Sequence, residues 1–307
     1  MPKAAEYRVL TFYRYVALPH AKALQKVHLS MGNEIGILGR ILISPEGING
    51  AACGTIEQVR QYKQYLHSHP EFVGLTFREQ ESHFNTFKKL HVRVKDEVIN
   101  SGIGPDPELD PNKKSGKHLD PETVRQFKDD PDVVLLDVRS NYEHQIGKFK
   151  NAVTLDIDHF REFPEKLKEL EEYKDKKIIT YCTGGVKCEK ASALLKEKGF
   201  EEVYQLRGGI VQYANETGGE DFQGRCYVFD RRVAVDVNTV NPEFISHCIH
   251  CGRKSARYVN CVKPECNEQV IMCQPCSIKW YGACSSECYH TTDRAFNGLG
   301  YYEKELQ

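Results

Sequence analysis

The sequence predicts a multidomain protein of mixed class: an α+β domain, then a parallel-sheet α/β domain, then a small cysteine-rich module. Three observations predict this. The chain has 307 residues, enough for two or three domains of ordinary size. Its secondary-structure signals change in kind near residue 119, from short alternating strands and helices to near-continuous apolar strands separated by helical stretches. Its twelve cysteines are crowded, with four before residue 248 and eight between Cys248 and Cys288. At 40% hydrophobic residues each domain can bury a core, which excludes a disordered chain. No apolar run approaches the roughly 20 residues that span a bilayer, and the start MPKAAEYRVLTFYRYV lacks the basic-then-apolar layout of a secretory signal. A soluble, cytoplasmic protein is expected, with no membrane partner.

Residues 1–100 form the first domain. EYRVLTFYRYVAL is rich in aromatic and β-branched residues, as a strand requires, and HAKALQKVHLSMGNEI follows with Ala23, Leu24, Val27 and Met31 at helical spacing. GILGRILIS reads as a second strand, and PEGINGAACG holds the Pro, Gly and Asn punctuation of a hairpin loop. IEQVRQYKQYLHSHPEF gives a second helix with Val59, Tyr62 and Leu66 on one face, before strands around LTFREQES and HVRVKDEVI. The order βαββαβ is the ferredoxin-like or acylphosphatase-like arrangement. Residues 101–118, SGIGPDPELDPNKKSGKH, are dense in Pro, Gly, Asp and Lys and read as a surface linker.

Residues 119–218 form the second domain. Asp120 is placed to cap a helix that has Pro121 at its first position. VVLLDV and KKIITYC are apolar strands of the kind buried on both faces of a parallel sheet, and EKASALLKEKG is a helix closed by Gly199. Short VYQL leads to RGGIVQYANE. Residues 219–307 begin with a predicted hairpin, GRCYVFDRRVAVDV, and continue into the cysteine-rich tail.

The net charge of −1 conceals a partition. Residues 1–118 carry 16 Lys+Arg and 12 Asp+Glu, residues 119–218 carry 16 and 20, and residues 219–307 carry 10 and 11. The N-terminal domain is the basic one. Its FKKLHVRVK stretch places Phe87, Lys88, Lys89, His91, Arg93 and Lys95 close together, either as a contact for a phosphate backbone or as an ordinary solvated strand face.

Chemistry concentrates in ITYCTGGVKCEKASALL, where Cys182 stands directly between a buried strand and a helix. Backbone N–H groups of Thr183, Gly184, Gly185, Val186 and Lys187 can turn inward around its sulfur, the glycines allow the tight turn, and the helix adds its N-terminal dipole. These favour thiolate, the nucleophilic form, and Lys187 adds positive charge. Cys188, in the first helical turn, is either a resolving thiol or a residue packed behind the loop. Glu189 is similarly open, either a functional carboxylate or one that the helix dipole alone favours in the first turn.

With LLDVRSNYEHQIGKFKNAVTLD, YCTGGVKC and YQLRGGIVQYANE in place, the central domain resembles a rhodanese domain. Together with the basic domain containing SPEGINGAACGT and the eight-cysteine tail, nearly the whole chain resembles the rhodanese-domain tRNA uridine hydroxylases. That resemblance implies oxygen-dependent hydroxylation of C5 of wobble uridine 34 to 5-hydroxyuridine. Its partner would be tRNA at the anticodon arm, with molecular oxygen as co-substrate. It also implies that Cys182 is the active, persulfide-forming type of cysteine and that Asp137 and Arg139 brace its loop. A persulfide sulfurtransferase is the alternative, and a non-enzymatic binding module a third reading that the intact loop disfavours. Rhodanese-fold phosphatases need Cys, five residues and then Arg; here that position is Cys188, which argues against phosphatase chemistry. The sequence shows no flavin, haem or nicotinamide motif, so the activation of oxygen is not explained by it.

In the tail, Cys248/Cys251, Cys261/Cys266, Cys273/Cys276 and Cys284/Cys288 are four pairs with two, four, two and three residues between partners. Each pair can place both sulfurs on one zinc ion, giving two structural sites of four cysteines each. Alternation suggests a cross-brace, first pair with third and second with fourth; sequential pairing is the other arrangement. His247, His250 and His290 flank these sites, and Arg253, Lys254, Arg257 and Lys263 could touch tRNA. Cys53 and Cys226 are given no role.

Overall fold

The computed structural model describes residues 5–104 and 109–293. Two compact units emerge, Met1–Ser140 with Ala152–Thr217, and Asn141–Asn151 with Gly218–Gln307.

The first unit begins with β1 (Tyr7–Tyr15), α1 (Ala21–Ile35), β2 (Leu38–Ser44), β3 (Gly47–Thr55), α2 (Ile56–His67), β4 (Arg78–Ser82) and β5 (Leu90–Val94). The strands pair in the order β4-β1-β3-β2-β5. The first four are antiparallel neighbours and β5 adds parallel to β2. This is the acylphosphatase-like α+β arrangement, with one correction to its parts. PEGINGAACG is not a hairpin loop: Ser44 pairs with Gly47, so only Pro45 and Glu46 turn, and Gly47–Thr55 is the central strand. Its residues are small because their neighbours are large. A Cβ on Gly50 would lie 2.7 Å from Cζ of Phe12, so the glycine marks a close approach within a strand rather than a turn.

Helix α1 also presents a different face from the one its apolar spacing suggests. Ala21, His28 and Gly32 are buried, whereas Val27 is 50% exposed and Ala23 is exposed. Gly32 sets this rotation, since a Cβ there would meet Leu90 Cδ2 at 2.6 Å. Helix α2 starts with a capping box between Thr55 and Gln58 and buries Val59, Tyr62 and Leu66 as expected. Both helices pack against Leu10, Phe12, Ile41, Ile43 and Ile48, on one face of the sheet.

The parallel sheet follows, in the strand order Lys117–Leu119, Val203–Leu206, Lys177–Tyr181, Val133–Asp137 and Val153–Thr154. Every neighbouring pair in it is parallel. Asp120 caps the helix Pro121–Phe127 by accepting from the Thr123 N–H at 2.8 Å. The stretch read as linker is structured at its end: Pro111–Lys114 makes a helical turn and Lys117–Leu119 is the edge strand. Side chains hold it there, because Ser192 Oγ accepts from the Gly116 N–H at 2.8 Å and Gln205 Nε2 donates to the Gly116 carbonyl at 2.8 Å.

In the second unit, Gly147–Phe149 pairs with Phe222–Gly224, and Cys226–Tyr227 with Ala234–Val235 in the expected hairpin. Tyr258–Asn260 pairs with Gln269–Ile271, followed by the short helices Gln274–Lys279 and Ser286–Tyr289. Among the described residues no helix is long and apolar enough to cross a membrane.

Candidate active site and candidate metal centres

Cys182 follows directly on the central strand Lys177–Tyr181 and is only 2% exposed. Gly185, at φ +99°, turns the chain into the helix Val186–Glu197 and donates its N–H to Cys182 Sγ at 3.1 Å. Burial alone would raise the Cys182 pKa. The Cys188 thiol, the Lys187 charge and the N–H groups of Lys187 and Gly185 outweigh it and bring the thiol to about 6. At neutral pH the sulfur is therefore largely thiolate.

The rest of the loop divides between support and opening. Thr183 fixes the turn, its carbonyl accepting from the Val211 N–H at 3.2 Å. Gly184 is half-buried, and a Cβ there would meet nothing within 4 Å, so the loop is open at this point. Val186 is half-buried and its carbonyl accepts from Tyr15 Oη at 3.3 Å. Lys187 is 7% exposed, with Nζ 5.9 Å from the Phe160 ring centroid. Cys188 is fully buried and its pKa is driven well up, by burial first and then by the neighbouring Cys182. It is therefore the donor and Cys182 the acceptor.

Asp137 and Arg139 are both fully buried. They form a forked pair, Nε to Oδ1 at 2.8 Å and Nη2 to Oδ2 at 2.6 Å. The intervening Val138 N–H bonds the Tyr181 carbonyl at 3.1 Å. This pair braces the strand end beside Cys182.

Four functional candidates were not visible in the sequence: Tyr13, Arg78, His118 and Gln205. Glu189 accepts from Tyr13 Oη at 2.9 Å, His118 Nε2 at 3.0 Å and Gln205 Nε2 at 2.9 Å. Burial works against its charge, but His118, Gln205 and Tyr13 overcome it and hold the carboxyl below its usual range. Tyr13 thus joins the N-terminal domain to the active loop, and its oxygen lies 3.0 Å from where a Gly185 Cβ would stand. Burial, followed by Glu189, keeps the Tyr13 phenol protonated, its pKa well above the ordinary value. The only available signal was the alternation in β1, where Tyr13 and Tyr15 fall opposite Leu10 and Phe12.

Lys88, Lys89 and Arg93 are exposed, the first two ahead of β5 and the third on it.

The tail sulfurs converge as two sets: Cys248, Cys251, Cys273 and Cys276, and Cys261, Cys266, Cys284 and Cys288, the atoms of each set all within 4.8 Å of one another. Four sulfurs around a zinc ion at about 2.3 Å are separated by about 3.8 Å. The neighbouring sulfurs Cys251–Cys273, Cys266–Cys284 and Cys284–Cys288 stand at 3.7, 3.7 and 3.8 Å. The donor set fits tetrahedral zinc in spacing and chemistry. Two of the flanking histidines have other partners: His250 stacks on Trp280 at 4.2 Å and bonds the Ala283 carbonyl, and His290 bonds the Ser286 carbonyl; the His247 backbone forms a β-bridge with Lys254.

Comparison with known proteins covers all three regions. Residues 7–98 match the UPF0176 acylphosphatase like domain, residues 120–216 the rhodanese-like domain and residues 223–289 the rhodanase C-terminal family. A protein of Cytophaga hutchinsonii named tRNA uridine(34) hydroxylase is 52% identical over 98% of this chain and 96% of its own length. Proteins of the same name from Bacillus velezensis and Bacillus pumilus are 44% and 45% identical, over 78% and 76% of this chain and 75% and 73% of theirs.

Proposed function

The chain belongs to the tRNA uridine(34) hydroxylase family, and from that premise we propose that it hydroxylates C5 of the wobble uridine of tRNA, with Cys182 as the catalytic residue. The observation that carries this is a thiol brought to about 6 within an open, glycine-lined loop. The names of the relatives favour hydroxylation over persulfide transfer as the use of that loop.

A thiolate suits uracil because the C5–C6 double bond is conjugated to a carbonyl. Addition of Sγ to C6 forms a C–S bond and moves the π pair towards C5 and O4, which makes C5 the nucleophile towards an oxidant. Attack of C5 on molecular oxygen gives a C5 hydroperoxide, whose O–O bond is cleaved by two electrons and two protons from an external reductant of the dithiol class, leaving C5–OH and releasing water. Loss of the C5 proton and of the thiolate from C6 then restores the double bond and returns Cys182 unchanged. Molecular oxygen is the co-substrate this reading names. In this scheme Lys187 and the Gly185 N–H hold the thiolate, Cys188 donates to it, and Asp137 with Arg139 fixes the strand end. The base reaches the loop splayed out of its stack, as enzymes acting on a base atom require.

The anticodon arm is the tRNA region presented, with Lys88, Lys89 and Arg93 among its phosphate contacts. The two cysteine sets each hold one structural zinc, supplying the fold energy that the small unit otherwise lacks. The protein works in the cytoplasm, where its substrate is. Nucleoside analysis of tRNA tests the central claim: cells relying on Cys182→Ser should lack 5-hydroxyuridine derivatives while the variant still binds tRNA. Retained hydroxylation in that variant would remove Cys182 from the chemistry.

A further inference from the structure

The helices cover one face of the N-terminal sheet, and the other face carries a feature the active loop alone does not explain. Arg78 on β4 pairs with Thr11, Thr11 with Ala51, Ala51 with Arg40, and Arg40 with His91. Directly paired residues point to the same side, so Arg78, Thr11, Ala51, Arg40 and His91 form one row across all five strands. The next row reads Tyr13, Asn49, Leu42 and Arg93. Four strand spacings make the row about 19 Å long. Its floor is small and uncharged and its ends are basic. No Asp or Glu occupies a paired position on this face, because Glu79 and Glu81 point to the helix side, where they meet Lys63 and Arg8.

Arg78 is the decisive member. It is 8% exposed, yet among the described residues it has no hydrogen-bond or carboxylate partner. It lies over the Tyr13 ring, with the guanidinium carbon 5.0 Å from the ring centroid, and beside Gly208, where a Cβ would stand 3.1 Å from Nε. Its stem is buried while its guanidinium nitrogens keep solvent access, so the charged head is free to take a ligand at the sheet surface. The Gly208–Gly209 turn that it touches packs on the active loop: a Cβ on Gly209 would lie 2.4 Å from the Cys182 carbonyl, and the Ile210 N–H bonds that carbonyl at 3.0 Å. Glu189, beside Tyr13, already accepts from three donors.

We propose that this cross-strand row is a track for single-stranded RNA, in which Arg78 clamps a phosphate next to the target nucleotide while Arg40, His91 and Arg93 hold the strand leading away from Cys182. The proposal rests on the tRNA reading above and specifies where the loop strand runs. Arg78 supplies the fork geometry that matches a phosphodiester. Exposed Arg40 and Arg93 supply counter-charge at the far end of the row.

The test uses the full-length protein with a synthetic anticodon stem-loop, measuring affinity across a salt series. Each lost phosphate contact should lower the slope of log K against log salt by about 0.7. Arg40→Gln with Arg93→Gln should flatten the slope by about two such steps. Arg78→Gln should flatten it by one and weaken binding about tenfold or more, the loss expected for a hydrogen-bonded charge. Lys22→Gln with Lys26→Gln, which removes equal charge from exposed positions on α1, should leave the slope unchanged. Alkylation of Cys182 should proceed at the unaltered rate in the Arg40/Arg93 variant, showing an intact loop. Arg78→Lys, which keeps the charge and loses the fork, covers the case in which Arg78→Gln fails to fold. An unchanged slope in the Arg40/Arg93 variant, or an equal drop in the Lys22/Lys26 control, overturns the track. If the unaltered protein forms no 5-hydroxyuridine, the functional reading has failed; if it does and the slopes do not move, the track alone has failed.

Discussion

The loop at Cys182 and the cysteine sets of the tail are built from the same side chain and solve opposite problems. At Cys182 one sulfur is charged and its surroundings are fixed donors: a backbone N–H at 3.1 Å, the Cys188 thiol and the Lys187 charge. In the tail, four sulfurs crowd together, and they hinder one another's ionisation. Cys276 is pushed up to about 12, by burial first and then by Cys251, Cys273 and Cys248, and Cys284 is raised by burial first and then by Cys261, Cys266 and Cys288. Cys248, against its burial, is brought to about 6 by N–H donors from Cys273, Cys251 and His250. A set that cannot all ionise without help is what a dication stabilises. The first arrangement keeps a thiolate available, and the second is a donor set that a metal ion could tie up.

The sharpest way to break that contrast is to remove each element in turn. Cys182→Ser should reduce hydroxylation to background with the melting temperature nearly unchanged, as measured by nucleoside mass spectrometry and calorimetry. Chelation should have the next largest effect, since structural zinc is worth about 10–16 kcal/mol in small zinc domains. Trp280 is the chain's one tryptophan and packs beside the first set. Its emission should therefore shift to the red as the module unfolds, and metal analysis of the untreated protein should give two zinc ions per chain. An unshifted spectrum after complete chelation would mean that the tail folds without metal.

Two smaller effects test the loop itself. Alkylation of Cys182 should be half-maximal near pH 6, falling as pH drops through that value because the thiolate takes up a proton. Cys188→Ala removes a donor to the charged form, so the midpoint should rise by about one to two units. An unmoved midpoint would reduce Cys188 to packing. Tyr13→Phe deletes one of three donors to a buried carboxylate and should cost about 1–2 kcal/mol in denaturant unfolding. Its alkylation midpoint should stay near 6, since the sulfur's own donors remain.

Much of this was legible along the chain because the relevant signals are local. Cys182 between an apolar strand and a glycine turn, Asp120 before Pro121, and the cysteine spacings each lie within a few residues. What was missed depends on neighbours distant in sequence. Gly47–Thr55 reads as loop because the bulk that explains its small residues belongs to Phe12. Val27 follows the helical repeat of α1 and yet faces outward, since Gly32 against Leu90 decides the helix rotation. The end of the linker becomes a strand through Ser192 and Gln205. Arg78 and Tyr13 gain meaning only when the sheet register aligns them beside a loop more than a hundred positions away.

Glu189 carries a consequence for modularity. Its three donors come from β1, from the edge strand Lys117–Leu119 and from the strand Val203–Leu206. A rhodanese segment excised at residue 119 would lose both Tyr13 and His118, leaving a buried carboxylate with one partner close to Cys182. The borders that sequence families draw here are therefore not lines of independent inheritance. A lineage that shuffled the central domain alone would carry Cys182 away from the groups that hold its helix in place, so the N-terminal domain and the loop are expected to have travelled through evolution as one piece.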